Sequence, residues 1–345
     1  MKHATIRVLI VDDSILFREA LSRVLSEDSS IEIIGKANDA YSAQEKIREL
    51  KPDVVTLDIE MPRMNGIELL RVLLPKHPVP VVVVTASPTS AFEALDAGAI
   101  DYVRKPTVRT SQDMVNFARE LSLKIKIARA ARLSRSLMRP DTFAKPQPIL
   151  PTPACADQRR VIAIGASTGG TDAIQVVIQN LPKETPGVVI VQHMPAGFTK
   201  MYADRLDKIC RMEVREAQDG DRVHCGRVLI AAGEFHMRLR KDANGYYVHC
   251  ARGEKVSGHC PSVDVLFDSV AETAGKDAIG VILTGMGADG AKGLYNMRKA
   301  GAYTIGQDKD SCVVYGMPMV AFNIGGVIKQ APLSQIPTHI MEKLR

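Results

Sequence analysis

No apolar run in this chain of 345 residues approaches the roughly 18 residues that a bilayer span needs, so no membrane-spanning helix is expected. The opening "MKHATIRVLIVDD" enters a strand pattern at once and offers no cleavable signal. A cytoplasmic setting is therefore expected. No C-x-x-C joins any of the six cysteines, at 155, 210, 225, 250, 260 and 312, and their scatter suits reduced thiols. Three of them follow histidines (His224-Cys225, His249-Cys250 and His259-Cys260), but those gaps match no zinc-site spacing. No internal repeat is visible. Nothing after residue 160 reads as a helix-turn-helix with a basic recognition helix, which argues against sequence-specific DNA binding.

What is present is ordinary in bulk: 46% hydrophobic and 24% charged residues, in a length that suits two domains. The net charge of +6 is unevenly placed. Residues 1–123 carry 15 basic and 18 acidic side chains, while residues 124–160 carry 9 and 2. The excess therefore sits in a connecting segment, whose plainest reading is a solvated linker. Five prolines between 140 and 153 forbid a regular helix there and favour an extended spacer.

On either side of that spacer the chain alternates strand and helix patterns. Strands are predicted at 6–11, 31–35, 53–57, 79–84 and 100–103, with helices at 15–27, 40–50, 66–74 and 89–97. A fifth helix is predicted to run from about Ser111 into "LSLKIKIARAARLSRSL". This is the pattern of a parallel sheet covered on both faces. After the spacer, strands are predicted at 161–164, 187–191, 228–231, 279–283 and 302–305, with a hairpin signal at Asn244-Gly245.

Ligand sites in open parallel sheets lie beyond the carboxyl ends of the strands. In the first half those ends bring Asp12, Asp13, Asp58, Thr85 and Lys105 to one edge. Crowded carboxylates repel unless a cation joins them, and hard oxygen ligands suit Mg²⁺. A lysine and a hydroxyl opposite the metal would hold the remaining oxygens of a phosphoryl group being transferred to a carboxylate. Taken alone, any one of these Asp residues reads first as a helix cap, Asp13 directly preceding a helix; it is their gathering at one edge that favours the site.

In the second half "VIAIGASTGG" raises the question of a phosphate loop or a presented nucleophile. Position 167 is serine, which breaks a dinucleotide fingerprint, and Thr171 stands where a Walker loop needs lysine. What fits is G-x-S-x-G over Gly165 to Gly169, with Ser167 raised on a strand-to-helix turn; a plain βα turn is the competing reading. The strand-end rule adds His193 as base and Asp289 as its orienting acid. His236 and His259 remain rival bases, and Asp219, Asp221 and Asp264 rival acids. The order serine, histidine, acid departs from that of the α/β-hydrolases. A serine loop that holds an anion without catalysis stays open as an alternative.

"VLIVDDS", "VVTLDIEMPRMNG", "VVVVTAS" and "AIDYVRKP" resemble the landmarks of the two-component receiver domain, a flavodoxin-like fold, over residues 6–106. That resemblance implies Asp58 as phosphoacceptor, with Asp12, Asp13 and Asp58 holding Mg²⁺. It also implies that Thr85 and Lys105 contact the phosphoryl group and that Tyr102 reorients with Thr85. "IGASTGG", "VQHMP", "CPSVDVLFDSVA", "LTGMGADGAKGL" and "VVYGMP" extend the likeness, and the whole chain resembles the chemotaxis-type protein-glutamate methylesterases. This family implies a receiver at 5–123, a basic proline-rich linker at 124–158 and a mostly parallel, doubly wound α/β esterase domain at 159–345. It implies a triad of Ser167, His193 and Asp289, with no metal at that site, and an oxyanion pocket from backbone N–H groups around Thr168 and Met286. The implied substrate is a glutamate γ-methyl ester on a methyl-accepting chemoreceptor, with receptor glutamines often deamidated too. The implied phosphodonor is a chemotaxis histidine kinase, with the unphosphorylated receiver restricting access to the esterase.

Overall fold

The computed structural model describes residues 5–106, 111–131 and 159–345. The chain divides into two compact units, Met1–Thr142 and Phe143–Arg345. The five prolines of the spacer lie outside the described residues, but the basic segment begins before them. Lys124, Lys126 and Arg129 stand on the helix Ser111–Ala130 and pair with Asp101, Asp28 and Asp53, so this part of the charge excess belongs to the first unit and not to a solvated linker.

The first unit runs β1 (Ile6–Val11), α1 (Ile15–Leu25), β2 (Ile31–Ala37), α2 (Ala40–Leu50), β3 (Val54–Asp58), α3 (Gly66–Leu73), β4 (Val81–Thr85), α4 (Pro88–Asp96), β5 (Asp101–Arg104) and α5 (Ser111–Ala130). The strands form one sheet in the order β2-β1-β3-β4-β5, all parallel. Val8 to Ile10 and Val81 to Val83 are fully buried, as strands covered on both faces require. Helix starts follow local chemistry: the Ser14 hydroxyl accepts from Phe17 N at 3.3 Å, and Asn65 and Glu68 form a reciprocal capping box.

The second unit holds β6 (Val161–Ala166), α6 (Gly170–Gln179), β7 (Gly187–Gln192), α7 (Phe198–Asp207), β8 (Glu213–Glu216), β9 (Arg227–Ile230), β10 (Phe235–Asp242), β11 (Gly245–Arg252) and α8 (Val263–Thr273). It continues with β12 (Ala278–Ile282), α9 (Ala291–Lys299), β13 (Tyr303–Gln307), α10 (Met317–Asn323), β14 (Lys329–Ala331) and α11 (Ile336–Leu344). Seven strands form a parallel sheet in the order β14-β13-β12-β6-β7-β9-β8. The strands β8 and β14 carry no sequence expectation. Each is only three or four residues long and sits at an edge of the sheet, where charged residues such as Glu213 and Lys329 replace an apolar run.

The expected hairpin exists as β10–β11, outside the main sheet and tied to α8 by Leu239 N donating to the Ser269 hydroxyl at 2.9 Å. Its loop lies one residue earlier than Asn-Gly suggests, because Asp242 pairs with Gly245 across Ala243-Asn244. The Asp242 carboxylate accepts from Asn244 N at 2.8 Å and starts the turn itself. The thiol expectation holds for Cys210, Cys250, Cys260 and Cys312, whereas Cys225 is disulfide-bonded. Spacing rules that look only for C-x-x-C cannot register such a bond.

Candidate functional site

In the first unit the sheet changes direction at β1, which has β2 on one side and β3 on the other. The residues at that crevice converge as the strand ends imply. Asp12, Asp13 and Asp58 bring carboxylate oxygens within 4.8 Å of one another, with Asp12 and Asp58 buried and Asp13 exposed. Lys105 Nζ spans the other side, 2.8 Å from Asp12 and 2.5 Å from Asp58. Burial pushes the Asp58 carboxyl up to about 6, Lys105 pulling against it and the Asp12 charge adding to it. Burial also opposes the Lys105 charge, but the two carboxylates outweigh it and hold its pKa above the ordinary value. One fixed ammonium shared by two buried carboxylates leaves a surplus of negative charge, and a compact oxygen-ligated cation fits that surplus. Thr85 and Tyr102 are both buried, the Thr85 hydroxyl accepting from Ser87 N at 3.1 Å and the Tyr102 ring lying 6.4 Å from that of Phe92.

In the second unit β6 is the strand at which direction changes, between β12 and β7. The turn after β6 carries Ser167. Gly169 holds it at φ +75°, a conformation that L side chains resist, and a Cβ there would meet Val313 at 2.7 Å. At Gly165 a Cβ would lie 2.2 Å from Val263 on α8, so the strand passes too close to that helix for any side chain. The next strand over supplies His193, whose N–H donates to Ala166 O at 3.2 Å; serine and histidine thus follow directly on the paired ends of β6 and β7. The strand on the other side, β12, leads into Asp289.

His193 Nε2 meets Asp289 Oδ2 at 2.7 Å across a separation of 96 residues. Asp289 is almost wholly buried and sits at the amino end of α8, where its carboxylate accepts from the Ser262 hydroxyl at 2.7 Å, Val263 N at 2.7 Å and Asp264 N at 3.1 Å. Burial, the largest influence, would raise its pKa. The hydrogen bond and charge of His193, with those from Ser262 and Val263, outweigh it and hold Asp289 below the usual carboxylate range. An ionised Asp289 makes Nε2 the protonated nitrogen and leaves the lone pair on Nδ1. That Nδ1 is buried with no hydrogen-bond partner among the described residues, so no bond joins it to the Ser167 hydroxyl. Catalytic hydrogen bonds are often loose before substrate enters.

Four of the five rival residues are engaged in other contacts. His236 is buried between Glu254 O, at 2.8 Å, and Ser262 N, at 3.3 Å. Asp264 accepts from Gly293 N at 2.8 Å and ties α8 to α9. Asp219 meets His249 at the surface, and Asp221 pairs with Arg215. His259 belongs to the site in a manner that spacing does not reveal: its ring stacks on His193 at 3.6 Å between centroids, inclined by 10°. Ser262 is also unforeseen, although a serine directly before the apolar "VDVLF" is a legible helix cap.

Thr168 is buried while Met286 is exposed. The carbonyls of the residues preceding both are tied from behind. Ser167 O accepts from Gly170 N at 2.7 Å and Gln192 Nε2 at 2.9 Å, and Gly285 O accepts from Gly316 N at 3.1 Å and Met317 N at 2.8 Å.

Comparison with known proteins agrees over almost the whole chain. Residues 162–340 match the family described as CheB methylesterase, and residues 8–116 match the response regulator receiver domain. A protein of Syntrophomonas wolfei named protein-glutamate methylesterase/protein-glutamine glutaminase 2 is 58% identical over 337 residues, covering 97% of each chain. A Salmonella typhimurium protein named protein-glutamate methylesterase/protein-glutamine glutaminase is 44% identical over 344 residues, covering 98% of this chain and 97% of its own. Among solved structures, the Thermotoga maritima CheB methylesterase catalytic domain superposes with a TM-score of 0.52 at 40% identity, covering 53% of this chain and 98% of its own. The chain belongs to the CheB methylesterase family, with a response regulator receiver domain preceding the methylesterase domain.

Proposed function

We propose that this protein hydrolyses glutamate γ-methyl esters on chemoreceptors, releasing methanol, and deamidates receptor glutamines by the same acyl chemistry. The observation that carries the reading is the buried 2.7 Å pairing of His193 with an ionised Asp289, its other ring nitrogen left without a hydrogen-bond partner among the described residues, on a residue whose backbone N–H bonds Ala166 O just ahead of Ser167. His193 Nδ1 takes the Ser167 proton as Oγ attacks the ester carbonyl, forming a tetrahedral oxyanion held by the N–H groups of Thr168 and Met286. The C–O bond to methoxide breaks and His193 returns the proton to it, giving methanol and an acyl-serine. Water, activated by the same nitrogen, then cleaves that ester to give glutamate and free Ser167. With a glutamine side chain the leaving group is ammonia. The companion names of the relatives, methylesterase and glutaminase, support both reactions.

Control comes from the receiver, read from the sequence as residues 5–123 with a linker at 124–158; because α5 runs on to Ala130, the linker is placed after that helix, ahead of the catalytic domain at 159–345. Asp58 accepts a phosphoryl group from a chemotaxis histidine kinase, Lys105 and Thr85 contacting its oxygens and Tyr102 moving with Thr85. Asp12, Asp13 and Asp58 would hold Mg²⁺, which supplies charge neutralisation for the transfer. The esterase site uses no metal in this scheme, nucleic acid is no partner, and the chain acts in the cytoplasm on the receptors' cytoplasmic helices; no described helix is long and apolar enough to cross a membrane. Timed methanol release from methyl-esterified receptor, with and without a small phosphodonor, tests the proposal. Tight anion binding with no methanol would favour the non-catalytic alternative.

A further inference from the structure

Gln192, the last residue of β7, has no part in the scheme above, yet it touches both halves of the reacting pair. It is 3% exposed. Its Nε2 donates to Ser167 O at 2.9 Å and to His193 O at 3.3 Å. Its Oε1 is buried without a partner among the described residues. The amide cannot be turned over, because Oε1 would then face two carbonyl oxygens. A Cβ on Gly170 would fall 2.1 Å from Oε1, so the first residue of α6 must be glycine for the amide to fit. A side chain kept for stability alone would not bury an unpaired oxygen where an apolar residue fits. What the fold draws from Gln192 is its NH₂ group.

The consequence follows from the planar trans peptide, in which C=O and N–H point in opposite directions. Fixing Ser167 O on Gln192 Nε2 and Gly170 N therefore aims the next group, Thr168 N–H, to the opposite side. The geometry points to Gln192 as a positioning residue that orients the Thr168 N–H for the oxyanion and holds the Ser167 and His193 backbones in mutual register. This inference rests on the esterase reading above and adds a residue to it.

The test uses the full-length protein and methyl-esterified receptor. Gln192→Leu removes the donor at similar volume; Gln192→Met serves if the leucine variant does not fold, as judged by its thermal transition. We expect kcat for methanol release to fall about 10- to 100-fold, less than the 10²- to 10³-fold that follows outright loss of an oxyanion donor, with KM within about twofold. Affinity for a boronic acid that forms a tetrahedral adduct with serine should fall by the same factor as kcat. In a Ser167→Ala background the substitution should change the residual rate little, since the two residues act as a unit. An unchanged kcat, a loss confined to KM, or an equal loss in the Ser167→Ala background would overturn the inference. Full methanol release by Ser167→Ala itself would instead sink the esterase reading.

Discussion

In the proposed triad Asp289 is the residue on which the rest depends, because its charge fixes the tautomer of its partner. Replacing it with asparagine keeps the shape but removes the reason for Nε2 to carry the proton. Asp289→Asn should lower kcat for methanol release by about 10⁴-fold, and Ser167→Ala by more than about 10³-fold, both measured on the same esterified receptor. The carboxylate also bears on stability. Its folded pKa lies below the ordinary value, so its charge contributes fully above the unfolded value of about 4 and the contribution is lost as pH falls through the folded value. Thermal unfolding of the second unit, followed from about pH 6 to pH 3, should show a shallower acid decline in Asp289→Asn than in the parent. An identical decline would mean that the ionised carboxylate contributes nothing to folding.

At the scale of elements, the amino end of α8 holds Asp289 and β6 leads into the Ser167 turn, and the two elements meet at Gly165. A methyl group there would lie 2.2 Å from Val263 Cγ1 and 3.1 Å from Phe267 Cζ. Overpacking of this kind costs about 1–3 kcal/mol. Gly165→Ala should therefore lower the melting temperature, and it should lower kcat too, because Val263 N is a donor to Asp289. Trimming the neighbour in Gly165→Ala/Val263→Ala should recover part of both losses. Recovery of neither would place the damage in the turn itself. The glycine at 165 was readable from G-x-S-x-G, but the identity of the side chain it makes room for was not, since 98 residues separate Gly165 from Val263.

The whole molecule joins a phosphoacceptor to an esterase. If phosphorylation of Asp58 relieves a restraint on the second unit, Asp58→Asn should give low activity that a phosphodonor does not raise. Deleting residues 1–140 should raise basal methanol release, and a fall in turnover on receptor would contradict the gating idea. The division into two α/β units was legible before any coordinates, because apolar periodicity and five prolines are local signals. The two edge strands were not, being short and charged, and neither was the stacking of His259 on His193.

By itself the sequence determined the alternation of strands and helices, the strand ends at which chemistry collects, and the glycines that let Ser167 stand on a sharp turn, for these depend on neighbours a few residues apart. Only the tertiary structure decided which of several histidines and acids meet, because β6 lies between β7 and β12 in space and not in chain order. The same packing decided that Nδ1 of His193 is the nitrogen left over and that an unremarkable glutamine at the end of β7 ties down the Ser167 carbonyl.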